Sequence, residues 1–323
     1  MEFLKPYTAL IESHLQSLPL PEKPAGLYDP QRYILDIGGK RIRPVLSLMS
    51  CGICGADIER AIPAALSVEL IHNFTLLHDD IMDQAESRRG HETAHLRWDT
   101  ASAILAGDGM FVQALLRLQD IHPDCDHKQM MEELLLGVNT VCEGQALDME
   151  FESRSDVSRD EYLAMIGGKT SALLSTSMKL GGFSANASAD RISLLGQIGT
   201  SLGLAFQIQD DLLDVVADPS QFGKQQGGDI REGKKTFLML DALEKCSEEQ
   251  KSMLLGYLKQ RPLTDEQIKD VIELFHHTGT IEEARSQIEH YYERAWEALE
   301  KFDDSRYKQD LSNLITYLKN RDF

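Results

Sequence analysis

Apolar residues return along this chain every three or four positions, the spacing of one face of an α-helix. Ile62, Leu66, Leu70, Phe74, Leu77 and Ile81 form one such stripe. Leu195, Ile198, Leu202, Ala205, Ile208, Leu212 and Val215 form a second, and Ile288, Tyr291, Ala295, Ala298 and Phe302 a third. In the first two segments apolar residues also fall off the stripe, as expected of helices buried on several sides. The N-terminal segment MEFLKPYTALIESHLQ interrupts its apolar positions with charges and reads as an amphipathic helix, not a signal peptide. No convincing run alternates with period two, so strands should be rare. Two polar, Gly-containing, cation-rich stretches, 84–94 and 217–235, predict loops, and 120–127 and 154–160 predict surface turns. Neither loop is long enough to link domains, and no shift in composition marks a boundary. The expectation is a single all-α domain over residues 1–323, built from about ten or more helices.

Composition is consistent with a large core and excludes some partners. Hydrophobic residues make up 42% of the 323, and Gly and Pro are modest at 23 and 10, which argues against disorder or a fibrous repeat. No stretch approaches the roughly 20 uninterrupted apolar residues of a membrane span, so the expected location is the cytoplasm. Five Cys, an odd number, suggest reduced thiols. Cys51 and Cys54 form a C-x-x-C without a second pair or His ligands at zinc spacing. They read as two small residues near a helix end. The formal charge of −19 repels nucleic acid and anionic lipid. Such a chain binds a polyanion only by concentrating its Lys and Arg locally, or by placing cations between.

Two motifs bear on that. HDDIMD holds Asp79, Asp80 and Asp83, and QDDLLD holds Asp210, Asp211 and Asp214. Each is D-D-x-x-D with apolar x. Residues four apart share a helix face about 6 Å apart along the axis, so Asp79 pairs with Asp83 and Asp210 with Asp214. Clustered carboxylates repel and are poorly solvated near a core, and they stay ionised most easily with cations between them. Oxygen-only ligands suit Mg²⁺, which takes few carboxylates, several waters and substrate phosphates. Two such clusters facing each other across a cavity could hold several Mg²⁺ ions and a diphosphate. An exposed acidic helix face would explain one copy in so acidic a chain, but two copies with the same apolar interior make that reading weak. An EF-hand is excluded by the helical spacing.

Candidate diphosphate donors stand beside these motifs. Gly38-Gly39-Lys40-Arg41-Ile42-Arg43-Pro44 combines a turn, three cations and a helix-entry Pro. Arg88-Arg89-Gly90 follows the first acidic motif, Lys169-Thr170 lies in a Gly-containing segment, and Lys224 and Lys234 flank the second polar loop. Arg offers a planar fork to phosphate oxygens and Lys a mobile point charge. Singly, each is ordinarily a solvated surface cation; their placement carries the argument.

With these blocks in hand, the chain resembles the trans-isoprenyl diphosphate synthases, or polyprenyl synthetases, from about Tyr28 to Lys235. The matching blocks, in the family's order, are GGKRIRP, ELIHNFTLLHDDIMD, RRG, AILAGD, EGQALDM, GKT, GLAFQIQDDLLD and GGDIREGKKT. The resemblance implies an all-helical bundle of the isoprenoid synthase type around a central apolar cavity. It implies that Asp79, Asp80 and Asp83 form the first magnesium motif and Asp210, Asp211 and Asp214 the second, with three Mg²⁺ ions per site. It assigns Arg88, Lys169, Lys224 and Lys234 to the allylic diphosphate. It assigns the GG turn at Gly39, with Lys40, Arg43, His72 and Arg89, to isopentenyl diphosphate. Thr170 and Gln207 stand near the reacting carbon. His72 shares roughly the helix face of Asp79; a lone His there is ordinarily a core residue, and its binding role follows from the resemblance alone.

The implied activity is condensation of isopentenyl diphosphate with dimethylallyl, geranyl or farnesyl diphosphate. Phe74, five residues before Asp79, is about 7.5 Å away along the axis and could close the pocket floor, while the smaller Thr75 leaves space. In the family this pair, with no insertion in the first motif, resembles the short-chain geranylgeranyl type, with farnesyl as the runner-up. More remote readings are a class I terpene cyclase, which usually lacks a second D-D-x-x-D, and a non-catalytic partner subunit, which usually loses one motif. The family's homodimer could form through the apolar helices near residues 100–145. The chain departs from the family at His91-Glu92-Thr93, commonly x-Pro-Thr, and at Thr236-Phe237-Leu238, often Thr-Leu-Pro. The C-terminal Lys319 and Arg321 read as a surface end.

Overall fold

Helices form where the apolar stripes predict them. The structure, a computed structural model, describes residues 2–216, 226–260 and 262–320. In chain order the helices are α1 (Lys5–Gln16), α2 (Ala25–Asp36), α3 (Ile42–Ile53), α4 (Ile62–Met82), α5 (Ala94–Arg97), α6 (Thr100–Leu118), α7 (His127–Ser153) and α8 (Arg159–Ile166). Then come α9 (Ala172–Ser184), α10 (Ala189–Val216), α11 (Gly228–Arg231), α12 (Phe237–Lys245), α13 (Glu248–Lys259), α14 (Asp265–His277), α15 (Thr280–Leu299) and α16 (Arg306–Lys319). Among the described residues, strand is confined to β1 (Ser87–Arg88) and β2 (His91–Glu92), which pair antiparallel.

The three stripes lie on α4, α10 and α15. Phe302 falls beyond the end of α15 yet is buried, so it continues the stripe without the helix. The N-terminal amphipathic helix is α1, which buries Tyr7, Ile11 and Leu15. Local chemistry sets several starts. Pro lies in the first turn of α4, where its missing N–H costs nothing. Ser158 and Glu161 close a reciprocal capping box at the start of α8, as Ser247 and Gln250 do for α13.

Two loop expectations are revised. The 84–94 stretch contains the β1–β2 hairpin. Its two turn residues, Arg89 at φ +54° and Gly90 at φ +79°, both have the positive φ of the tight two-residue turn that matches strand twist. In the 217–235 stretch, Gly228–Arg231 is a short helix rather than loop.

Two compact units divide the chain. The first comprises Met1–Val138, Leu173–Gly196 and Lys301–Leu311, and the second Asn139–Ala172, Gln197–Glu300 and Ser312–Phe323. In the first unit α4 packs along α6, with Ala103, Ala106, Gly107, Met110, Ala114 and Leu118 of α6 buried. Among the described residues α6 alone is long and apolar enough, by length and composition, to cross a membrane. It nevertheless carries Asp108 and Arg117, and one side of it belongs to this core. Tyr7 of α1 donates to Asp310 Oδ2 of α16 at 2.6 Å, tying the N-terminal helix down. All five cysteines are free, and burial pushes Cys51 up to about 12 and Cys54 up to about 11, so both thiols are inert packing groups.

In the second unit the backbone between α8 and α9 makes one wide turn. Residues Gly167–Ser171 are π-helical, and the Ala172 N–H reaches back five residues to Gly167 O. Lys169 and Thr170 lie in this turn. Glycine makes it possible: a Cβ on Gly144 of α7 would stand 2.1 Å from Lys169 N, and one on Gly203 of α10 would stand 2.5 Å from Ser171 Cα. Gly144→Ala is therefore expected to push the Lys169 backbone aside and cost about 2–3 kcal/mol by overpacking. Gly256→Ala on α13, where nothing lies within 4 Å, should be neutral or slightly stabilising. Melting curves of the two variants check the contrast, and only Gly144→Ala should also lose turnover.

Candidate active site

The first acidic motif ends its helix. Asp79 and Asp80 lie in the last turn of α4, and Asp83 is its C-cap, with its N–H on Asp79 O at 2.8 Å. That bond keeps Asp79 and Asp83 one turn apart although the helix stops. The burial of the three differs: Asp79 is half-buried, Asp83 exposed and Asp80 buried. Asp80 meets Arg88, whose Nε donates to both carboxylate oxygens at 2.8 and 2.9 Å and whose Nη2 stands 2.6 Å from Oδ1. The middle aspartate is thus engaged by a cation eight residues on.

The tight hairpin sends its two arginines to different tasks. Arg88 turns back to Asp80, while the Arg89 guanidinium lies against Gly39, where a Cβ would come within 2.6 Å of Nη1. Only glycine lets the loop and this guanidinium approach so closely. Arg43 extends Nη1 to His72 Nε2 at 3.2 Å. A guanidinium only donates, so Nε2 accepts and the ring proton sits on Nδ1. Burial, and then the charges of Arg43, Arg89, Arg88 and Arg41, hold His72 well below the usual imidazole range, so at neutral pH it is an uncharged acceptor. The buried Nε of Arg43 has no hydrogen-bond partner among the described residues. Lys40 is exposed beside them. The structure therefore brings Gly39, Arg43, His72 and Arg89 together. Arg41, between Lys40 and Arg43, instead turns into the core.

In the second unit Asp210 and Asp214 are half-buried on α10, with Asp211 buried between them. Asp211 Oδ2 accepts from the Tyr162 hydroxyl and from the Phe237 N–H at 3.1 Å, and Gln207 Nε2 stands 3.5 Å from Oδ1. Burial pushes its carboxyl up to about 7 against these donors. Gln207 presents its other end, Oε1, to the Thr170 hydroxyl at 3.2 Å. A chain of polar contacts thus runs from Tyr162 through Asp211 and Gln207 to the π turn. There Lys169 pairs with Asp148 of α7 at 2.5 Å. Asp214 Oδ2 accepts from the Asp229 N–H at 3.0 Å, and the Asp229 side chain pairs with Lys234 at 3.1 Å. Lys224 and Arg321 lie outside the described residues. Lys319 is paired with Glu289.

Sequence reasoning missed four residues. Asp148 and Asp229 stand inside the quoted blocks EGQALDM and GGDIREGKKT, but nothing singled them out from other acids. Tyr162 carried no local pattern. Phe111 of α6 meets the Phe74 ring at 5.8 Å between centroids, while His78 meets it edge-on at 4.9 Å. Thr75, on the same helix, turns its hydroxyl onto His72 O at 2.8 Å.

The donors available to a metal are hard carboxylate oxygens. Among the described residues no three His, Cys, Asp or Glu side chains close on one point. Zinc sites of closed thiolate or imidazole type do not fit such a set. Mg²⁺ does, because it binds through one or two carboxylates and fills its octahedron with water and phosphate oxygens.

The all-helical fold is shared with solved geranylgeranyl pyrophosphate synthases. The geranylgeranyl pyrophosphate synthetase from Pyrococcus horikoshii superposes with a TM-score of 0.92 at 38% identity, over 98% of this chain and 97% of that one. The polyprenyl synthetase family model matches residues 24–275, and the chain belongs to that family. A short chain isoprenyl diphosphate synthase of Methanothermobacter thermautotrophicus is 36% identical over 100% of this chain and 98% of its own length. A geranylfarnesyl diphosphate synthase of Natronomonas pharaonis is 33% identical over 97% of this chain and 94% of its own.

Proposed function

We propose that this chain is a magnesium-dependent trans-prenyltransferase that joins isopentenyl diphosphate to allylic diphosphates and releases geranylgeranyl diphosphate. The observation that carries the reading is the gathering of Arg43, Arg89 and neutral His72 around Gly39, with a buried guanidinium N–H of Arg43 still to be satisfied. Concentrated positive charge in a chain of formal charge −19 calls for an anion, and forked donors match diphosphate oxygens. These residues, with Lys40, take isopentenyl diphosphate.

Asp79 with Asp83 in the first unit, and Asp210 with Asp214 in the second, are each assigned to Mg²⁺. Asp80 orients Arg88 and Asp211 orients Gln207, so the middle aspartate of each motif acts through a neighbour. The family resemblance assigns Arg88, Lys169, Lys224 and Lys234 to the allylic diphosphate. Mg²⁺, when held there, would supply charge neutralisation to the departing diphosphate and ease ionisation of the allylic C–O bond. The isopentenyl double bond attacks the allylic carbon, and a proton leaves with the released diphosphate as its acceptor. Thr170 and Gln207, already bonded to each other, offer ordered dipoles to the cationic carbon rather than a nucleophile. Such a cation has to be kept from water until the new bond forms.

Incubation of the purified protein with Mg²⁺, isopentenyl diphosphate and dimethylallyl, geranyl or farnesyl diphosphate tests the reading. The expected product is geranylgeranyl diphosphate. A hydrocarbon released from the allylic substrate alone would indicate a cyclase, and no product at all a partner subunit.

Phe74, braced by Phe111 and His78, is assigned the pocket floor. Phe74→Ala is expected to lengthen the product by at least one isoprene unit, read by reversed-phase chromatography after dephosphorylation. The same length from both proteins would refute that assignment.

A homodimer is part of the proposal. Leu105 and Val112 of α6 and Leu136 of α7 are each more than half exposed, and Leu116 and Leu135 are exposed beside them in sequence. A second copy covering these side chains accounts for apolar surface that water disfavours, and light scattering gives the mass.

A further inference from the structure

Arg41 lies in the loop that carries two proposed diphosphate donors, and it faces away from them. Its φ of +49° and ψ of +33° place it in the left-handed region, which a long side chain keeps only when its surroundings impose it. The guanidinium is buried and spends its donors inward. Nε donates to Glu12 Oε1 at 2.7 Å, Nη1 to Glu69 Oε1 at 2.6 Å and Nη2 to Leu35 O at 2.8 Å. The turn is therefore gripped by α1 through Glu12, by the last turn of α2 through Leu35, and by α4 through Glu69.

The two carboxylates are not equivalent. Glu69 is buried and is also bonded by Asn73 Nδ2 at 3.0 Å. Glu12 has a side chain 38% exposed and lines a cleft with Leu15, Leu18, Leu35 and Gly38. Gly38, at φ +79°, opens the same loop. Glu12 is thus the rim member of a clamp whose far side is the Gly39–Arg89 contact and the Arg43–His72 bond.

Resting on the assignment of Lys40, Arg43, His72 and Arg89 to isopentenyl diphosphate, we infer that Glu12 is a positioning residue for that site. It holds one arm of Arg41, fixes the left-handed turn and so aims the cations on either side. The N-terminal helix thereby sets the affinity for isopentenyl diphosphate without touching it.

The direction of the effect separates this role from two simpler ones. Glu12→Gln removes a negative charge near an anion site, which by Coulomb's law alone would tighten diphosphate binding. A purely structural pair would move the melting temperature and leave binding alone. Positioning predicts weaker binding. Isothermal titration of isopentenyl diphosphate into the full-length protein without Mg²⁺ measures Kd, and steady-state kinetics with geranyl diphosphate measure both KM values.

For Glu12→Gln the Kd and the KM for isopentenyl diphosphate are expected to rise about fivefold, the scale of coupling through such networks, with the KM for geranyl diphosphate changing much less. Arg41→Lys, which keeps the buried charge but loses the fork, should shift the same constant the same way. Tyr7→Phe is the control on the same helix: it cuts the bond to Asp310, lowers the melting temperature and leaves Kd unchanged. An unchanged or lower Kd in Glu12→Gln, or an equal rise in Tyr7→Phe, overturns the inference alone. A wild-type protein that binds no isopentenyl diphosphate overturns the site assignment and the inference with it.

Discussion

Changing Asp79 to Asn is expected to lower turnover by about 10³-fold or more, the scale seen when a group that stabilises developing charge is removed. The amide keeps the shape of the side chain but gives up the charge that holds a divalent cation. Asp79 is half-buried and one turn from Asp83, at the end of α4. Two carboxylates at that spacing repel in the absence of metal, so the metal-free variant should melt at the same temperature as the parent or slightly above it. The parent should gain stability when Mg²⁺ and an allylic diphosphate analogue are added together, because a ligand that binds only the folded state stabilises it by mass action. Asp79→Asn should lose most of that gain. A variant that keeps both full turnover and the full ligand-induced rise would remove Asp79 from the metal site.

The largest effect on stability is expected at Arg88. Asp80 is 1% exposed and its two oxygens are taken by one guanidinium. Arg88→Met leaves that carboxylate buried and unpaired, at a cost of about 3–5 kcal/mol. Removing both charges together, Asp80→Asn with Arg88→Met, should recover a large part of the loss, since replacing a buried pair is far milder than breaking one. Turnover should not recover with it, because Arg88 is assigned to the departing diphosphate. Denaturant melts and steady-state rates on the single and double variants give the two answers separately. Recovery of activity in the double variant would mean that Arg88 only neutralises Asp80.

The helical architecture was legible because periodicity is a property of the local sequence. The stripes on α4, α10 and α15 are visible residue by residue. The hairpin at 87–92 was not, because two-residue strands carry no period and the turn depends on Arg89 accepting a positive φ. The acidic motifs were equally plain, yet the unequal roles within them were not. Asp79, Asp80 and Asp83 are chemically identical in the sequence, and only the fold turns the middle one inward to Arg88. The same holds for Asp211, whose partner Tyr162 lies 49 residues away. Arg41 and Arg43 are two positions apart in one cationic block, and a single left-handed residue sends one into the core and the other to His72.

The π turn at Gly167–Ser171 has a consequence for how this chain tolerates change in length. Such a turn holds one residue more than an α-helical one. Deleting a single residue from it would permit an uninterrupted helix from α8 into α9. The residue removed is the one the wide turn absorbs, so Tyr162, before the turn, would keep Asp211. Lys169 and Thr170 would lose the widened backbone that carries them to Asp148 and Gln207. A lost codon here would thus spare the helix and withdraw two of the groups it presents.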